Sequence, residues 1–275
     1  MSRRLVYIVI TLLATPAARV SAYAQSEFDS ARALLQKVDE DRAAYGAIAD
    51  TKRISDGEVV AARKRVSEEE QAAPAKVEGL LNAAVLRFLD TDAHRSPEKL
   101  QAKLREALQI GPEQPEHGVN AQAFVFQIGP AKKGYIVAYN IVHCITCSHS
   151  WIGAFAPKGG GYELVASLDN SLPNQTLQAV PLWTGDNVIR FLAYGINWGD
   201  AHSRLNAAAY SFDGHQIREV WSRTGLPQGT LKLEPGTMVV SFLTALVPPW
   251  KMRTETYAVT ANEIHLLEAS ESPVE

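Results

Sequence analysis

The chain has 275 residues, of which 46% are hydrophobic, 21% charged and 8% aromatic. This composition is typical of a globular protein and excludes a disordered or fibrous chain. The formal net charge of -3 also excludes a strongly basic surface of the kind that binds nucleic acid.

The first 24 residues have the layout of a secretory signal peptide. Arg3 and Arg4 form a basic start, Leu5 to Ala14 is almost entirely apolar, and Ala22-Tyr23-Ala24 matches a cleavage site. The apolar run is too short to cross a bilayer as a helix. The sequence therefore predicts a periplasmic or secreted protein with no stable membrane insertion.

The chain changes character near residue 118. Of the 93 residues from 25 to 117, 32 are charged and three are aromatic, whereas of the 158 residues from 118 to 275, 22 are charged and 17 are aromatic. We therefore predict a helical region over 25–117, a β-repeat domain over 118–268 and a disordered tail over 269–275.

The helical region has apolar residues at helical spacing in four segments. The predicted helices are one around Phe28–Val38, one that starts at Ser55 and Glu58 and ends before Pro74, one over Val77–Leu89, and one that starts at Ser96-Pro97. The apolar stripe of the first helix is thin. We expect it to pack on the β domain or on a second copy of the chain, so a homo-oligomer is one hypothesis.

Residues 120–268 repeat as three units of four short strands. Phe155, Tyr210 and Tyr257 hold equivalent positions, and the last two strands of each unit are joined by a tight turn such as Asp213-Gly214. Units of this length and strand count resemble the blades of secreted β-propellers. The resemblance is to a repeat class, and it implies an α+β fold in which a helical region precedes a propeller-like domain.

Three units are fewer than the four to eight blades with which propellers usually close. Two alternatives therefore stay open. The units could form a β-trefoil-like barrel, or they could form an open stack whose end is covered by the helical region or by a second subunit.

One loop of the first unit holds both cysteines of the chain. Cys144, Cys147 and His149 could coordinate zinc or copper, and the C-x-x-C pair could exchange with a disulfide. In an oxidising compartment, a structural disulfide between Cys144 and Cys147 is the simpler prediction. Ser148 stands where covalent haem attachment requires histidine, which disfavours that cofactor.

The matching loops of the three units are expected to emerge on one side of the domain. That placement predicts a rim formed by Trp151, Trp198, Asp200, His202 and Trp250. Aromatic rings with a few polar groups suit a carbohydrate, a peptide or a small organic ligand. The alternative is that these tryptophans pack between the units.

The sequence contains no G-x-S-x-G, H-E-x-x-H, phosphate-loop or dinucleotide motif. We therefore interpret the chain as an exported, non-catalytic module that binds an unknown small molecule or protein. The competing hypothesis is a metal- or thiol-dependent periplasmic protein that uses Cys144, Cys147 and His149. No particular cofactor is indicated.

Overall fold

The structure is a computed structural model. It describes residues 16–53, 56–92, 95–109, 122–128, 133–142, 148–169, 172, 174–184, 189–199, 202–260 and 263–274. Within these residues, three helices precede twelve strands. None of the described helices is long and apolar enough to cross a membrane.

The helices and strands follow one another in a simple order. The helices are α1 (Pro16–Ala49), α2 (Gly57–Thr91) and α3 (Pro97–Leu108). Sheet 1 contains β1 (Gln122–Ile128), β2 (Gly134–Val142), β3 (Ser148–Lys158) and β4 (Gly161–Asp169). Sheet 2 contains β5 (Gln178–Thr184), β6 (Ile189–Gly199), β7 (His202–Phe212) and β8 (Ile217–Pro227). Sheet 3 contains β9 (Thr230–Glu234), β10 (Thr237–Leu243), β11 (Lys251–Val259) and β12 (Ile264–Pro273).

The predicted α+β class and the three four-stranded units are confirmed. Each sheet is antiparallel, and its strands lie side by side in chain order. Phe155, Tyr210 and Tyr257 are buried, and each lies at a register shift between the third and fourth strands of its sheet. A bulge at the same place in all three sheets shows that the repeat extends to backbone geometry.

The sheets stack face to face, with the helices covering one end. Tyr135, Val137 and Trp151 of sheet 1 join the helices in one core. Side chains of the alternate face, such as Ile136 and Ile152, pack on sheet 2, and sheet 2 in turn packs on Met238 and Val240 of sheet 3. This alternation follows from the two-residue period of a strand, and it buries both faces of the first two sheets.

The far end of the stack is polar. The face of sheet 3 turned away from sheet 2 carries the cross-strand pairs Val239–Thr256 and Ser241–Thr254, and the Ser241 and Thr254 hydroxyls are 3.0 Å apart. Among the described residues, no core cluster joins sheet 3 to sheet 1 or to the helices. The sheets therefore form an open stack and not a β-trefoil-like barrel. Because its outer face is polar, sheet 3 can face solvent as the last repeat of the stack.

Two predicted boundaries were wrong. Pro74 lies buried inside α2, which is one helix and not two. A proline inside a helix costs about 3 kcal/mol, and the burial of Val66 and Val77 on either side of Pro74 offsets that cost. At the other end of the chain, β12 runs on to Pro273, because its backbone pairs with β11 as far as Lys251, where a disordered tail was predicted.

A buried carboxylate joins sheets 2 and 3. The Glu255 side chain is only 3% exposed. It accepts hydrogen bonds from Tyr257 Oη at 2.5 Å, from Arg253 Nε at 2.8 Å and from Arg223 Nε at 3.1 Å. Burial alone would raise the pKa of Glu255, but the hydrogen bonds from Tyr257 and Arg253 and the charge of Arg223 outweigh it and lower that pKa below its usual value.

The lowered pKa of Glu255 predicts that acid weakens the contact between sheets 2 and 3. The unfolded chain takes up a proton at this carboxylate at a higher pH than the folded chain does. The stabilisation is therefore complete above the usual pKa of 4.5 and is lost as the pH falls through the lower, folded value. We expect the melting temperature of Glu255→Gln to fall less steeply below about pH 5 than that of the wild type.

At neutral pH the same variant should be less stable than the wild type by about 1 kcal/mol, because the buried residue 255 loses its charge-assisted hydrogen bonds to Arg223 and Arg253, whose side chains are 42% and 35% exposed. Glu234→Gln is the matched control, since Glu234 also pairs with a cation, Lys232, but on the surface of sheet 3. Parallel pH profiles for wild type and Glu255→Gln would contradict the assignment.

Candidate functional site

Three ionisable side chains meet where α2 crosses sheet 1. His149 lies near the start of β3, on the face that carries Trp151 and Phe155 toward the helices. Glu78 follows the buried Val77 in α2, and Asp169 is the last residue of β4. We call Glu78, His149 and Asp169 the α2–sheet 1 cluster.

The donor atoms of the cluster are close together. His149 Nε2 is 2.5 Å from Asp169 Oδ1 and 3.5 Å from Glu78 Oε2, and all three atoms lie within 4.8 Å of one another. Nε2 is buried, and its polar neighbours among the described residues are these two carboxylates. The imidazole therefore points a buried nitrogen at both acids.

The cluster is open on one side. The side chains of His149 and Glu78 are 17% and 24% exposed, whereas that of Asp169 is 62% exposed. Burial and the neighbouring Asp169 charge raise the pKa of Glu78, while His149 and Trp151 act in the opposite direction. Two carboxylates at this distance repel each other, so the site favours a bound positive charge.

Aromatic rings form the closed side of the cluster. Trp151 is fully buried and stacks on Tyr139, with ring centroids 5.0 Å apart and planes inclined by 22°. Burial raises the pKa of Tyr139 well above its usual value, and the charges of Glu78 and Asp169 add to the effect. The Tyr139 hydroxyl donates to Asn82 Oδ1 at 3.3 Å.

Trp151 also aims a polar atom at the cluster. Its indole Nε1–H acts on Glu78 as a hydrogen-bond donor and lowers the pKa of that carboxyl. Trp151 therefore contributes to the polar surroundings of the cluster as well as to its closed side.

The position of the Trp151 ring depends on Gly153. A Cβ at residue 153 would lie 2.0 Å from Cη2 of Trp151, and the ring is fully enclosed. We expect Gly153→Ala to displace the ring and to cost about 2 kcal/mol of unfolding free energy. Near-ultraviolet circular dichroism should show the loss of the Trp151–Tyr139 signal. An unchanged spectrum and melting temperature would contradict this.

The structure places the predicted site residues in different environments. Trp151, predicted on the rim, is instead buried under α2, because alternation along β3 turns it toward the helices. Trp198 and Trp250 are 42% and 44% exposed, and His202 is partly exposed. Cys144, Cys147 and Asp200 lie outside the described residues, so their predicted metal, disulfide and ligand roles stay predictions.

Hydrogen bonds connect the segments between the sheets to strand ends of their neighbours. Asn140 Nδ2 near the end of β2 donates to Asn174 O at 3.2 Å, and Gln175 Nε2 donates to Trp198 O at 3.3 Å. The segment between sheets 1 and 2 thus touches strands of both. Gln228 N, between sheets 2 and 3, donates to Ser203 O at 2.8 Å. The shared rim of Trp198, Asp200, His202 and Trp250 stays a prediction.

Sequence reasoning identified His149 but missed its two carboxylate neighbours. Glu78, His149 and Asp169 come from three different elements, and their separations of 71 and 20 residues match no metal-binding motif. The available signal was a lone acid, Glu78, in the most apolar stretch of the helical region.

Comparisons with known proteins give only distant likenesses. No protein-family profile matches the chain, and no curated protein matches it either. Among solved structures, it is similar to the GH93 α-L-arabinofuranosidase of Fusarium graminearum with arabinobiose, at 12% identity and a TM-score of 0.30. It is also similar to the α-L-arabinanase of Penicillium chrysogenum with arabinobiose, at 11% identity and a TM-score of 0.30.

Each likeness covers 60% of this chain, and the matched part spans about half of the other protein, 53% of its length. Both matched proteins are enzymes, and this finding corrects the sequence-based prediction of a non-catalytic binding module. A TM-score of 0.30 assigns no activity or substrate to this chain.

Proposed function

We propose that the protein is a zinc-dependent hydrolase whose metal centre is the α2–sheet 1 cluster. The observation that carries the proposal is the convergence of one donor atom each from His149, Glu78 and Asp169 within 4.8 Å of one another, with the imidazole nitrogen buried beside both carboxylates.

The donor set fits a divalent ion of borderline softness. One imidazole and two carboxylates are ligands that Zn²⁺ accepts. A charge of +2 would neutralise both Glu78 and Asp169, whereas protonation of His149 would supply only +1.

The number of ligands favours catalysis over a structural role. Structural zinc sites are closed by four protein ligands, and catalytic sites use three and leave a position for water. The described cluster offers three, and Asp169 is on the exposed side, where water and substrate have access. Zinc held by these residues would supply an activated water as the nucleophile for hydrolysis.

The side chains around the cluster have supporting roles in this proposal. Trp151 and Tyr139 exclude water from the closed side, so charges act there at a lower effective dielectric. The Trp151 Nε1–H faces Glu78 and favours its ionised, metal-binding form. The centre needs neither Cys144 nor Cys147.

We also propose that the enzyme acts after export, on the basis of the signal-peptide layout of residues 1–24. Sequencing the amino terminus of the protein from its producing cell should then give Gln25 as the first residue. An amino terminus at residue 1 or 2 would contradict export by this route.

The hydrolase proposal is tested by removing and restoring the metal. Protein stripped with a chelator should not turn over p-nitrophenyl acetate, bis-p-nitrophenyl phosphate or a p-nitrophenyl glycoside, and one equivalent of Zn²⁺ should restore turnover of at least one. Turnover that survives stripping would contradict the proposal. Zinc binding without turnover of any of the three substrates would contradict the hydrolase activity but not the metal centre.

A further inference from the structure

Asn82 lies one helical turn beyond Glu78 on α2. Residues four apart along a helix project from the same face, so Asn82 stands beside the α2–sheet 1 cluster. Tyr139 supports this placement from the sheet side. Its hydroxyl donates to Asn82 Oδ1 at 3.3 Å, and the charges of Glu78 and Asp169 act on the same hydroxyl. The Asn82 side chain therefore borders the cluster.

The Asn82 amide is oriented before any substrate binds. Tyr139 is fully buried and its ring stacks on Trp151, so the position of its hydroxyl is fixed. Because that hydroxyl donates to Oδ1, the amide presents Nδ2 on its other side. Nδ2 meets no acceptor among the residues that the structure describes, and Asn82 is partly exposed. It is therefore a hydrogen-bond donor that a bound molecule can use.

Lysine and arginine side chains lie off the face of α2 that carries the cluster. The nearest on this helix are Lys76 and Arg87, two residues before and nine residues after Glu78. At 3.6 residues per turn, both lie roughly 160–180° from Glu78 around the helix axis. In sheet 1 the single such residue is Lys158, which lies at the end of β3 remote from the cluster and pairs with Glu163.

The charge that develops during a reaction separates the classes of substrate. Phosphoryl transfer spreads negative charge over three oxygens and commonly uses arginine or lysine clamps, which α2 and sheet 1 do not place at the cluster. Glycoside hydrolysis passes through a cation-like state, which a bound Zn²⁺ would disfavour. Acyl hydrolysis puts negative charge on one oxygen, which an amide donor beside a metal ion stabilises. The surroundings of the cluster thus favour an uncharged acyl substrate.

We propose that Asn82 stabilises the oxyanion at this centre and that the substrate is an uncharged carboxylic ester or amide. The inference rests on the proposed hydrolase activity and names its substrate class. A water molecule activated at the centre adds to the acyl carbon, and the carbonyl oxygen takes the negative charge and accepts a hydrogen bond from Asn82 Nδ2. The bond from the acyl carbon to the alcohol oxygen or amine nitrogen then breaks, and that group leaves with the proton that the water gave up.

The test compares Asn82→Ala with the wild type, each loaded with one equivalent of Zn²⁺. We expect kcat for p-nitrophenyl acetate to fall by about 100-fold, with KM changed by less than about threefold. Acetohydroxamic acid, an uncharged acyl compound that chelates zinc, should bind about tenfold more weakly by isothermal titration. The affinity for zinc itself should match the wild type, because Asn82 is not a ligand.

Asn82→Asp separates the donor role from a structural role. Its Oδ1 still accepts from Tyr139, so a structural role would be restored in this variant, whereas the lost Nδ2 donor would not be. We expect its kcat to be as low as that of Asn82→Ala. Gln71→Ala is the matched control, since Gln71 is an exposed amide on α2 that bonds to Ser67 Oγ at 3.3 Å. Its kinetics should equal those of the wild type.

Wild-type kcat in Asn82→Asp would overturn the inference, and so would a loss of zinc affinity in Asn82→Ala as large as its loss of kcat. Faster wild-type turnover of bis-p-nitrophenyl phosphate or of a p-nitrophenyl glycoside than of the acetate would refute the substrate class. Zinc-dependent ester turnover that both Asn82 variants retain would refute this inference alone. A wild type that turns over none of the three substrates would refute the hydrolase proposal together with it.

Discussion

Gly195→Ala should be the most destabilising single-methyl addition in the described chain. A Cβ at residue 195 would lie 1.8 Å from the carbonyl oxygen of Thr176 and 2.7 Å from its carbonyl carbon. Both are backbone atoms, so no side-chain rotation relieves the clash. We expect a loss of about 3 kcal/mol or more in unfolding free energy, with a fall in melting temperature of roughly 10 °C.

The backbone near Gly195 cannot move away easily. Gln175 N and Thr176 N both donate to Ile196 O, at 2.9 and 3.2 Å, and Ile196 N donates to Thr176 Oγ1 at 2.7 Å. Leu172 and Leu177, on either side of this contact, are fully buried. Relief of the clash would therefore break the packing between sheets 1 and 2.

Gly46→Ala is the control for Gly195→Ala. Gly46 lies in α1, and a Cβ there would meet nothing within 4 Å. Alanine is the better helix former, so this variant should be more stable by about 0.5–1 kcal/mol. Chemical denaturation of the two variants beside the wild type measures both effects. A melting temperature of Gly195→Ala equal to that of the wild type would contradict the close contact between β6 and residues 175–176.

His149→Ala should remove most of the zinc affinity of the α2–sheet 1 cluster. It deletes the only nitrogen ligand of the site and leaves two carboxylates that repel each other. Because even outer-shell partners of a metal are worth 10–100-fold in affinity, we expect a loss of more than about 100-fold. Glu78→Gln should have a similar effect, since a neutral amide is a much weaker ligand than a carboxylate. Isothermal titration with Zn²⁺ measures both.

His265→Ala is the matched control for the histidine substitution. His265 also lies beside a carboxylate, with Nδ1 at 3.3 Å from Glu263 Oε1, but that pair is exposed and has a single acid. Its loss should leave zinc affinity and turnover unchanged. Equal zinc affinity in wild type and His149→Ala would show that the metal binds elsewhere.

Much of the fold could be predicted from the sequence because its signals are local and repeated. The two-residue alternation within each strand, and tight turns such as Asp213-Gly214, predicted all twelve strands. The equivalence of Phe155, Tyr210 and Tyr257 predicted the repeat. Alternation also predicted that the two faces of each strand differ. It did not predict whether a given face packs on the helices, on another sheet or faces solvent. Trp151 was for that reason predicted on the rim when it packs under α2.

The remaining features depend on tertiary contacts. Whether a proline ends a helix depends on what buries the residues around it, and the apolar residues on both sides of Pro74 keep α2 continuous. The α2–sheet 1 cluster likewise depends on tertiary contacts. Glu78 and Asp169 become neighbours of His149 only when α2 packs on sheet 1, and no spacing along the chain records that packing.

Native mass spectrometry of the protein from its producing cell tests the metal centre most directly. We expect one zinc ion per chain in the wild type and in His265→Ala, and none in His149→Ala or Glu78→Gln. A wild-type protein that carries no metal after incubation with Zn²⁺, or a zinc ion that persists in His149→Ala, would contradict it.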